Sequence, residues 1–432
     1  MSLYRLLLPC VLLAACVPCV GQNWPQWRGP FLNGSTTETG LPTEWSTTQG
    51  VLWVTPIGPG SSTPVVFGDK VFISDVDRAT NDVVALCIDA SSGKVLWLSA
   101  VDKNRDADGG NTMATPSAVT DGKTAWFCFG TGALAAFDRD GKTLWRRELE
   151  KDYGAFSVKY GYSSSPLLYR GRLYIVVMQN PDPSRYHPSD AKGPASSFLL
   201  CLDGATGKTL WKQVRPTEAT DESTEGYLTP VPYEGSGRHE IILAGAECLT
   251  GNDADTGAEL WRWWYSPRSL RPAQRLIPSA IPGDGLVYAV RPRNRSVFAV
   301  KGGGKGVVGD DFLAWTFERQ VPDALTPLLY QGRLYVMQDM RHYLSCLDAK
   351  TGKVLWQQSL EGTGEFYASP LGADGKVYCM SDSGHVLVLA AGDQFQVLSR
   401  IDMGETPCRS SISAANGHLF IRTGRNLYCV GK

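Results

Sequence analysis

From Val51 onward the chain alternates short apolar runs with polar, glycine-containing breaks, and the runs have the two-residue period of half-buried strands. One stretch displays the pattern in full: Cys201-Leu202-Asp203-Gly204-Ala205-Thr206-Gly207-Lys208-Thr209-Leu210-Trp211. It predicts a strand end, a tight turn and a second strand carrying one large aromatic. Asp203 can accept from the turn's own amides, and Gly207 supplies the positive φ of a bulged hairpin turn. The pattern recurs as DASSGKVLW from Asp89 to Trp97, DRDGKTLW from Asp138 to Trp145, DADTGAELW from Asp253 to Trp261 and DAKTGKVLW from Asp348 to Trp356. Looser copies end at Trp315 and at Val397, where the aromatic is missing. Gln49-Gly50-Val51-Leu52-Trp53 is the tail of a copy without a beginning.

A second pattern precedes each copy: a hydroxyl residue, a proline, two apolar residues and a hairpin. It reads Thr63-Pro64, Thr115-Pro116, Ser165-Pro166, Thr229-Pro230, Thr326-Pro327 and Ser369-Pro370; Ile277-Pro278 lacks the hydroxyl and Ser410-Ser411 lacks the proline. Four strands per repeated unit is the signature of a β-propeller. The spacing predicts eight inner strands, beginning near residues 64, 116, 166, 230, 278, 327, 370 and 411. The eighth unit stops at Leu427-Tyr428-Cys429-Val430 without an outer strand, and the orphan Val51–Thr55 is the missing piece. The expectation is an all-β, single eight-bladed propeller over residues 51–432, its last blade closed by the N-terminal strand, so that no ring edge is left open. Trp53, Trp97, Trp145, Trp211, Trp261, Trp315 and Trp356 are expected buried between blades, with a thinner interface at Val397.

Residues 1–21 begin with Arg5 and an apolar run from Leu6 to Val17, too short to span a bilayer and shaped like a secretory leader. Cys19-Val20-Gly21 fits cleavage by a signal peptidase. Leu13-Ala14-Ala15-Cys16 fits a lipobox that would leave a lipid on Cys16, the single route to a membrane. Either exit places the mature protein outside the cytoplasm. Residues 22–50 then read as an irregular arm whose tryptophans pack on the ring. The net charge of −1 and the absence of any basic run exclude a nucleic-acid footprint. Of 11 cysteines, three fall in the leader. Cys87, Cys201, Cys346 and Cys429 share one place in the third strand, too far apart in different blades for a disulfide, and are expected to be small core residues. Cys128 and Cys379 take the same reading, while Cys248 and Cys408 stay open.

The opening Trp24-Pro25-Gln26-Trp27-Arg28-Gly29-Pro30 and the Asp-Ala-x-Thr-Gly-Lys-x-Leu-Trp repeats resemble exported pyrroloquinoline-quinone-like repeat proteins of planctomycete-type bacteria, over about Gln22 to Lys432. More distantly the repeat is similar to that of quinoprotein alcohol dehydrogenases and of the outer-membrane-protein assembly lipoprotein of the Bam complex. The resemblance implies a fold more than a function, because the repeated Asp, Gly and Trp are structural. In the dehydrogenases it also implies a vicinal disulfide over the quinone, a Glu, Asn and Asp set for calcium, and a further Asp as base. This chain has no adjacent cysteines, and its blades are short. No cofactor is expected, with pyrroloquinoline quinone the alternative. His187, His239, His342, His385 and His418 show no ligand spacing, and the Asp-rich pieces at Asp106 and Asp253 do not continue as calcium loops.

The segments leading into the inner strands are the distinctive part. They carry Tyr153, Tyr160, Tyr162, Glu225, Tyr227, Arg271, Arg275, Asp323, Glu365, Tyr367 and Arg409. Aromatics mixed with both charges around a funnel suit a polar ligand or a peptide. The expected role is an exported scaffold that engages a protein, peptide or glycan without chemistry of its own; the alternative is a quinone-dependent dehydrogenase of alcohols or sugars. The loop from Gln179 to Ser197, with four prolines, is the largest insertion and a second place for function.

Overall fold

The computed structural model describes residues 22–186, 194–265, 274–291 and 295–432. The leader with Cys16, the middle of the 179–197 loop with His187, and Arg271 lie outside the described residues. Eight antiparallel sheets follow one another around a ring. The first contains Val65–Phe67, Lys70–Val76, Asp82–Asp89 and Val95–Lys103, innermost strand first, and the next six repeat that order. In the eighth, Ser413–Ala415, His418–Arg422 and Asn426–Val430 are joined by Val51–Pro56, with Val51 opposite Val430 and Thr55 opposite Leu427. The N-terminal strand therefore closes the ring. Blade 4 departs from the pattern: Gly306–Val307 returns from blade 5 and pairs in parallel with Trp261 and Arg262 as a fifth strand.

The repeat motif is one interface written in two halves. Each outer-strand tryptophan stands opposite a small third-strand residue: Trp97 opposite Cys87, Trp145 opposite Ala136, Trp211 opposite Cys201, Trp356 opposite Cys346 and Trp53 opposite Cys429. Directly opposed residues share a sheet face, so the cysteine's place is small because an indole needs the room. All eight cysteines among the described residues are buried and unpaired, Cys248 and Cys408 included. The indole then leans onto the turn of the next blade. Trp97 Nε1 donates to the carbonyl oxygen of Arg139 at 3.1 Å, Trp145 to Gly204 at 3.0 Å, Trp315 to Ala349 at 3.0 Å and Trp356 to Gly392 at 3.0 Å.

Two sequence expectations need correction here. Trp53, Trp261 and Trp315 are buried, but Trp97, Trp145, Trp211 and Trp356 are half-buried, because the outer strand sits at the rim and leaves part of each ring wet. Val397 is also not the aromatic's place in blade 7. It pairs with Leu389 beyond the bulge, and Ser399, opposite Val388, occupies the tryptophan position. The arm fills that gap. Ser399 donates its hydroxyl to the carbonyl oxygen of Thr43, and Trp45 packs on Tyr378 with ring centroids 6.5 Å apart. Trp97 on Phe72 at 6.2 Å, Trp211 on Tyr174 at 5.9 Å and Trp356 on Tyr335 at 6.1 Å show the same pairing inside single blades.

Before reaching blade 7 the arm crosses the ring. Trp24 exchanges backbone hydrogen bonds with Val66 of blade 1, Pro25 accepts from Thr120 of blade 2, and the Gln26 side chain accepts from Leu168 of blade 3. Asn33 then accepts from Leu329 of blade 6, and Gly34 pairs with Gly372 of blade 7. In mid-crossing Arg28, 2% exposed, donates to the carbonyl oxygens of Pro370 at 2.8 Å and Pro327 at 2.9 Å. Gly34 cannot carry a side chain, since a Cβ would lie 2.0 Å from the Arg28 guanidinium.

Candidate functional site

The inner strands begin at a belt of hydroxyls. The amide of Thr63 donates to Ser117 Oγ at 2.9 Å, Ser117 to Ser165 at 2.9 Å, Ser165 to Thr229 at 3.2 Å and Thr229 to Ser279 at 2.8 Å. Ser279 continues to Thr326 at 3.0 Å, Thr326 to Ser369 at 3.1 Å and Ser369 to Ser411 at 3.2 Å. Each blade's hydroxyl thus satisfies a buried amide of the blade before it. This shifts the sequence reading in blades 2 and 5: their belt residues are Ser117 and Ser279, not Thr115-Pro116 or the apparent gap at Ile277-Pro278. In blade 8 Ser411, not Ser410, is the belt member. The proline that made the motif visible follows the hydroxyl in only five blades; alanine or isoleucine follows it elsewhere.

Above the belt the ring holds a cavity of about 350 Å³. Seven belt residues form its wall, and Tyr160, Tyr227, Arg275, Tyr367 and Arg409 stand at its mouth. Trp27 of the arm lines its base, so the central channel is a blind well. The mouth residues are coupled. Arg275 lies over the Tyr160 ring at 4.8 Å, faces Glu222 at 3.4 Å and faces Asp323 at 3.7 Å. Lys159, 3.7 Å from Glu222, covers the same tyrosine at 5.3 Å. The Tyr227 hydroxyl accepts from the Tyr160 amide at 3.2 Å and donates to Glu225 at 3.4 Å. Glu225 is fully buried, and also accepts from Tyr186 at 2.7 Å and from the Lys159 amide at 3.0 Å. Burial, then the Glu225 charge, pushes the Tyr227 phenol well above its ordinary range. Across the mouth, Arg409 lies over Tyr367 at 5.2 Å, and its Nε donates to Asp382 at 3.1 Å. Tyr367 donates to Glu365 at 2.9 Å.

A family model described as outer membrane protein assembly factor BamB matches residues 35–182 and 253–397, more than half of the chain. The chain belongs to this family. Among curated relatives, the tetrathionate hydrolase of Acidithiobacillus ferrooxidans is 24% identical over 77% of this chain, and the polyvinylalcohol dehydrogenase of Sphingopyxis sp. is 26% identical over 47%. The chain spans 65% and 33% of those relatives' own lengths. Among solved structures, BamB from Moraxella catarrhalis superposes with a TM-score of 0.59 at 14% identity, covering 88% of this chain and 99% of that one. Quinohemoprotein alcohol dehydrogenase from Comamonas testosteroni gives 0.65 at 12%, covering 95% and 80%, and a europium-containing methanol dehydrogenase gives 0.66 at 9%, covering 94% and 90%. At these identities the likeness is one of fold.

Within this BamB-family propeller the sequence-selected residues part company. Tyr160, Tyr227, Arg275, Tyr367 and Arg409 converge on the well, with Glu225, Asp323 and Glu365 behind or beside them. Tyr153 stands apart at the outer side of blade 3, its hydroxyl 2.8 Å from Thr209 and its ring under Lys212 at 4.6 Å. Tyr162 is a core residue, 3% exposed against Phe156. Sequence reasoning takes Thr63, Ser165, Thr229, Thr326 and Ser369 only as marks of strand entry and Trp27 only as an arm residue packed on the ring, and places neither at the site. The Trp-Arg-Gly signal of the arm was visible, but nothing in it says that the segment crosses the axis. Among the described residues no three His, Cys, Asp or Glu side chains come together as metal ligands.

Proposed function

We propose that this BamB-family propeller is an exported, non-catalytic binding protein that engages a protein, peptide or glycan partner through the loop face around the well. The observation that carries the reading is convergence: loops of several blades on a closed, rigid ring bring three tyrosines and two arginines to one mouth. Export rests on the leader at residues 1–21 and agrees with the family's description as an outer membrane assembly factor. Lipid attachment at Cys16 is the alternative exit.

The dehydrogenase names among the structural neighbours favour a second reading, quinone-dependent oxidation of alcohols or sugars. The residues present do not fit a quinone–calcium pair. The carboxylates that meet the cavity's lining side chains are already engaged: Glu222 and Asp323 face Arg275, Asp382 holds Arg409, Glu225 is hydrogen-bonded by two tyrosines, and no adjacent cysteines exist to cover a quinone.

The test is capture from an envelope extract, comparing the native protein with Tyr227→Ala and Arg275→Ala. Loss of a specific partner in both variants supports the loop face; unchanged capture moves the interface elsewhere, with the Gln179–Ser197 loop next. Dye reduction by the purified protein with pyrroloquinoline quinone, calcium and alcohols, abolished by Asp323→Asn, would overturn the non-catalytic reading.

A further inference from the structure

The well beneath the mouth is walled by hydroxyls that donate to no protein atom among the described residues. Each belt Oγ from Ser117 to Ser411 accepts an amide of the preceding blade, and no belt hydroxyl donates to a protein atom among the described residues. Their O–H groups are therefore left for the cavity, which seven of the eight line. All eight are more than nine-tenths buried. Lining the open well, those seven donors face whatever acceptor enters it.

Behind the belt, next to the Trp27 that lines the well, lies a buried charge without a counter-charge. Arg28 makes hydrogen bonds to the carbonyl oxygens of Pro327 and Pro370, which directly follow the belt members Thr326 and Ser369, and to Asn33 at 3.2 Å. Its Nε has no partner. Among the described residues no carboxylate comes within ion-pair distance of it, and burial pushes its pKa down to about 9. Arg275 and Arg409 are the charged groups in the cavity wall. Glu222 and Asp323 flank Arg275, Asp382 holds Arg409, and none of these carboxylates lines the cavity. They orient the two guanidiniums, as Tyr160 and Tyr367 do from beneath.

Resting on the loop face as a binding site, we propose that the well takes an oxyanion, a carboxylate or sulfate group either free or carried on a small acidic sugar. The oxyanion accepts from the belt hydroxyls and from Arg275 and Arg409, and its charge offsets at a distance that of Arg28, which sits behind the belt at the carbonyls of Pro327 and Pro370. Charge-assisted bonds of this kind are the strong ones, and the cavity's volume lies within the range of small-ligand sites. Trp27, Tyr160, Tyr227 and Tyr367 give the ring of such a sugar apolar faces.

Titration calorimetry of the full mature chain at low ionic strength with glucuronate, inorganic sulfate and glucose tests this. Glucuronate should bind and glucose should not. Arg275→Gln should weaken glucuronate at least about tenfold, the loss expected for one charge-assisted contact, while Tyr153→Phe, remote from the well, leaves it unchanged. Sulfate binding as well as glucuronate assigns the site to the oxyanion alone; weaker sulfate assigns a share to the sugar. Arg28→Gln should also weaken binding, and if that variant does not fold, Arg275→Gln decides. Glucose binding as tightly as glucuronate, no binding by either anion, or undiminished binding in Arg275→Gln would overturn the proposal. A partner still captured by the native protein and lost in Tyr227→Ala, with no oxyanion bound, would sink this inference and leave the loop-face reading standing.

Discussion

Trp53 lies over Gly93. The indole belongs to the N-terminal strand that completes blade 8, the glycine to the turn of blade 1, and Nε1 donates to the Ala90 carbonyl oxygen at 3.0 Å. A Cβ on Gly93, whose φ is +72°, would stand 2.7 Å from the ring. Gly93→Ala should therefore cost about 2 kcal/mol or more, combining left-handed strain with displacement of the indole. Urea unfolding checks it; a loss below about 0.5 kcal/mol would mean the indole moves aside freely.

The tryptophans should rank by burial. Trp261→Ala and Trp53→Ala, at fully or nearly buried sites, should cost about 3–5 kcal/mol. The half-buried Trp97 and Trp145 should cost about 1–3 kcal/mol. Equal melting temperatures across the four variants would contradict the ranking.

Trp45 lies outside every repeat, yet it takes the blade-7 aromatic position against Tyr378. Trp45→Ala should destabilise by about 3 kcal/mol, like a repeat tryptophan. Ser399→Trp should not rescue it, because Thr43 occupies the approach to that strand. A harmless Trp45→Ala would show that the arm merely rests on the blade.

The belt gives a sharper contrast. Ser165→Ala leaves the buried Ser117 amide without its acceptor and should cost about 1–3 kcal/mol. Thr115→Ala, one motif position away from the belt in blade 2, should cost clearly less, although Thr115 bonds Thr112 locally at 2.7 Å. The reverse order in thermal unfolding would restore the Thr-Pro reading of blade 2.

Acid should loosen the turns together. Hydrogen bonds from the Ser91 and Ser92 hydroxyls lower the Asp89 carboxyl to about 2, and bonds from Thr206 and Thr351 lower Asp203 and Asp348. These folded-state values lie below the unfolded value of about 3.9. Their contribution is thus present above about pH 4 and is lost as pH falls toward 2. Asp89→Asn, which cannot titrate, should show a shallower loss of melting temperature between pH 5 and pH 2.5 than the native protein; parallel slopes would refute the linkage.

Much of this architecture is legible in the sequence, because a propeller repeats its chemistry. Aspartate, glycine and tryptophan recur at the same offsets in four turns and one residue closer in a fifth, at Asp138, and the unfinished last unit points to its own missing strand. What is not legible is whatever a single blade does once. Trp45 cannot be recognised as a blade-7 residue from its position, since its register is set by Tyr378 on a distant strand. The belt was misplaced in blades 2 and 5 because proline, the more visible residue, marks strand entry rather than the hydrogen bond that selects the hydroxyl. At the site, Tyr160, Tyr227, Arg275, Tyr367 and Arg409 could be chosen as loop residues before inner strands. Tyr153 and Tyr162 satisfy the same criterion, but a short helix, Leu149–Tyr153, turns one outward and packing on Phe156 buries the other.

The arm also fixes an order in time. Residues 22–50 are synthesised before any blade, yet their partners lie in blades 1, 2, 3, 6 and 7, and Val51 waits for Val430. The closing strand can pair only after Asn426–Val430 exists, so blade 8 is completed at the end of synthesis, whereas the arm's partners in blades 1, 2 and 3 are made long before those in blades 6 and 7. Contacts of such long sequence separation are slow to form. Until Asn426–Val430 has been made the ring stays unlatched, and a chain cut short before it has a seam that no other segment can close.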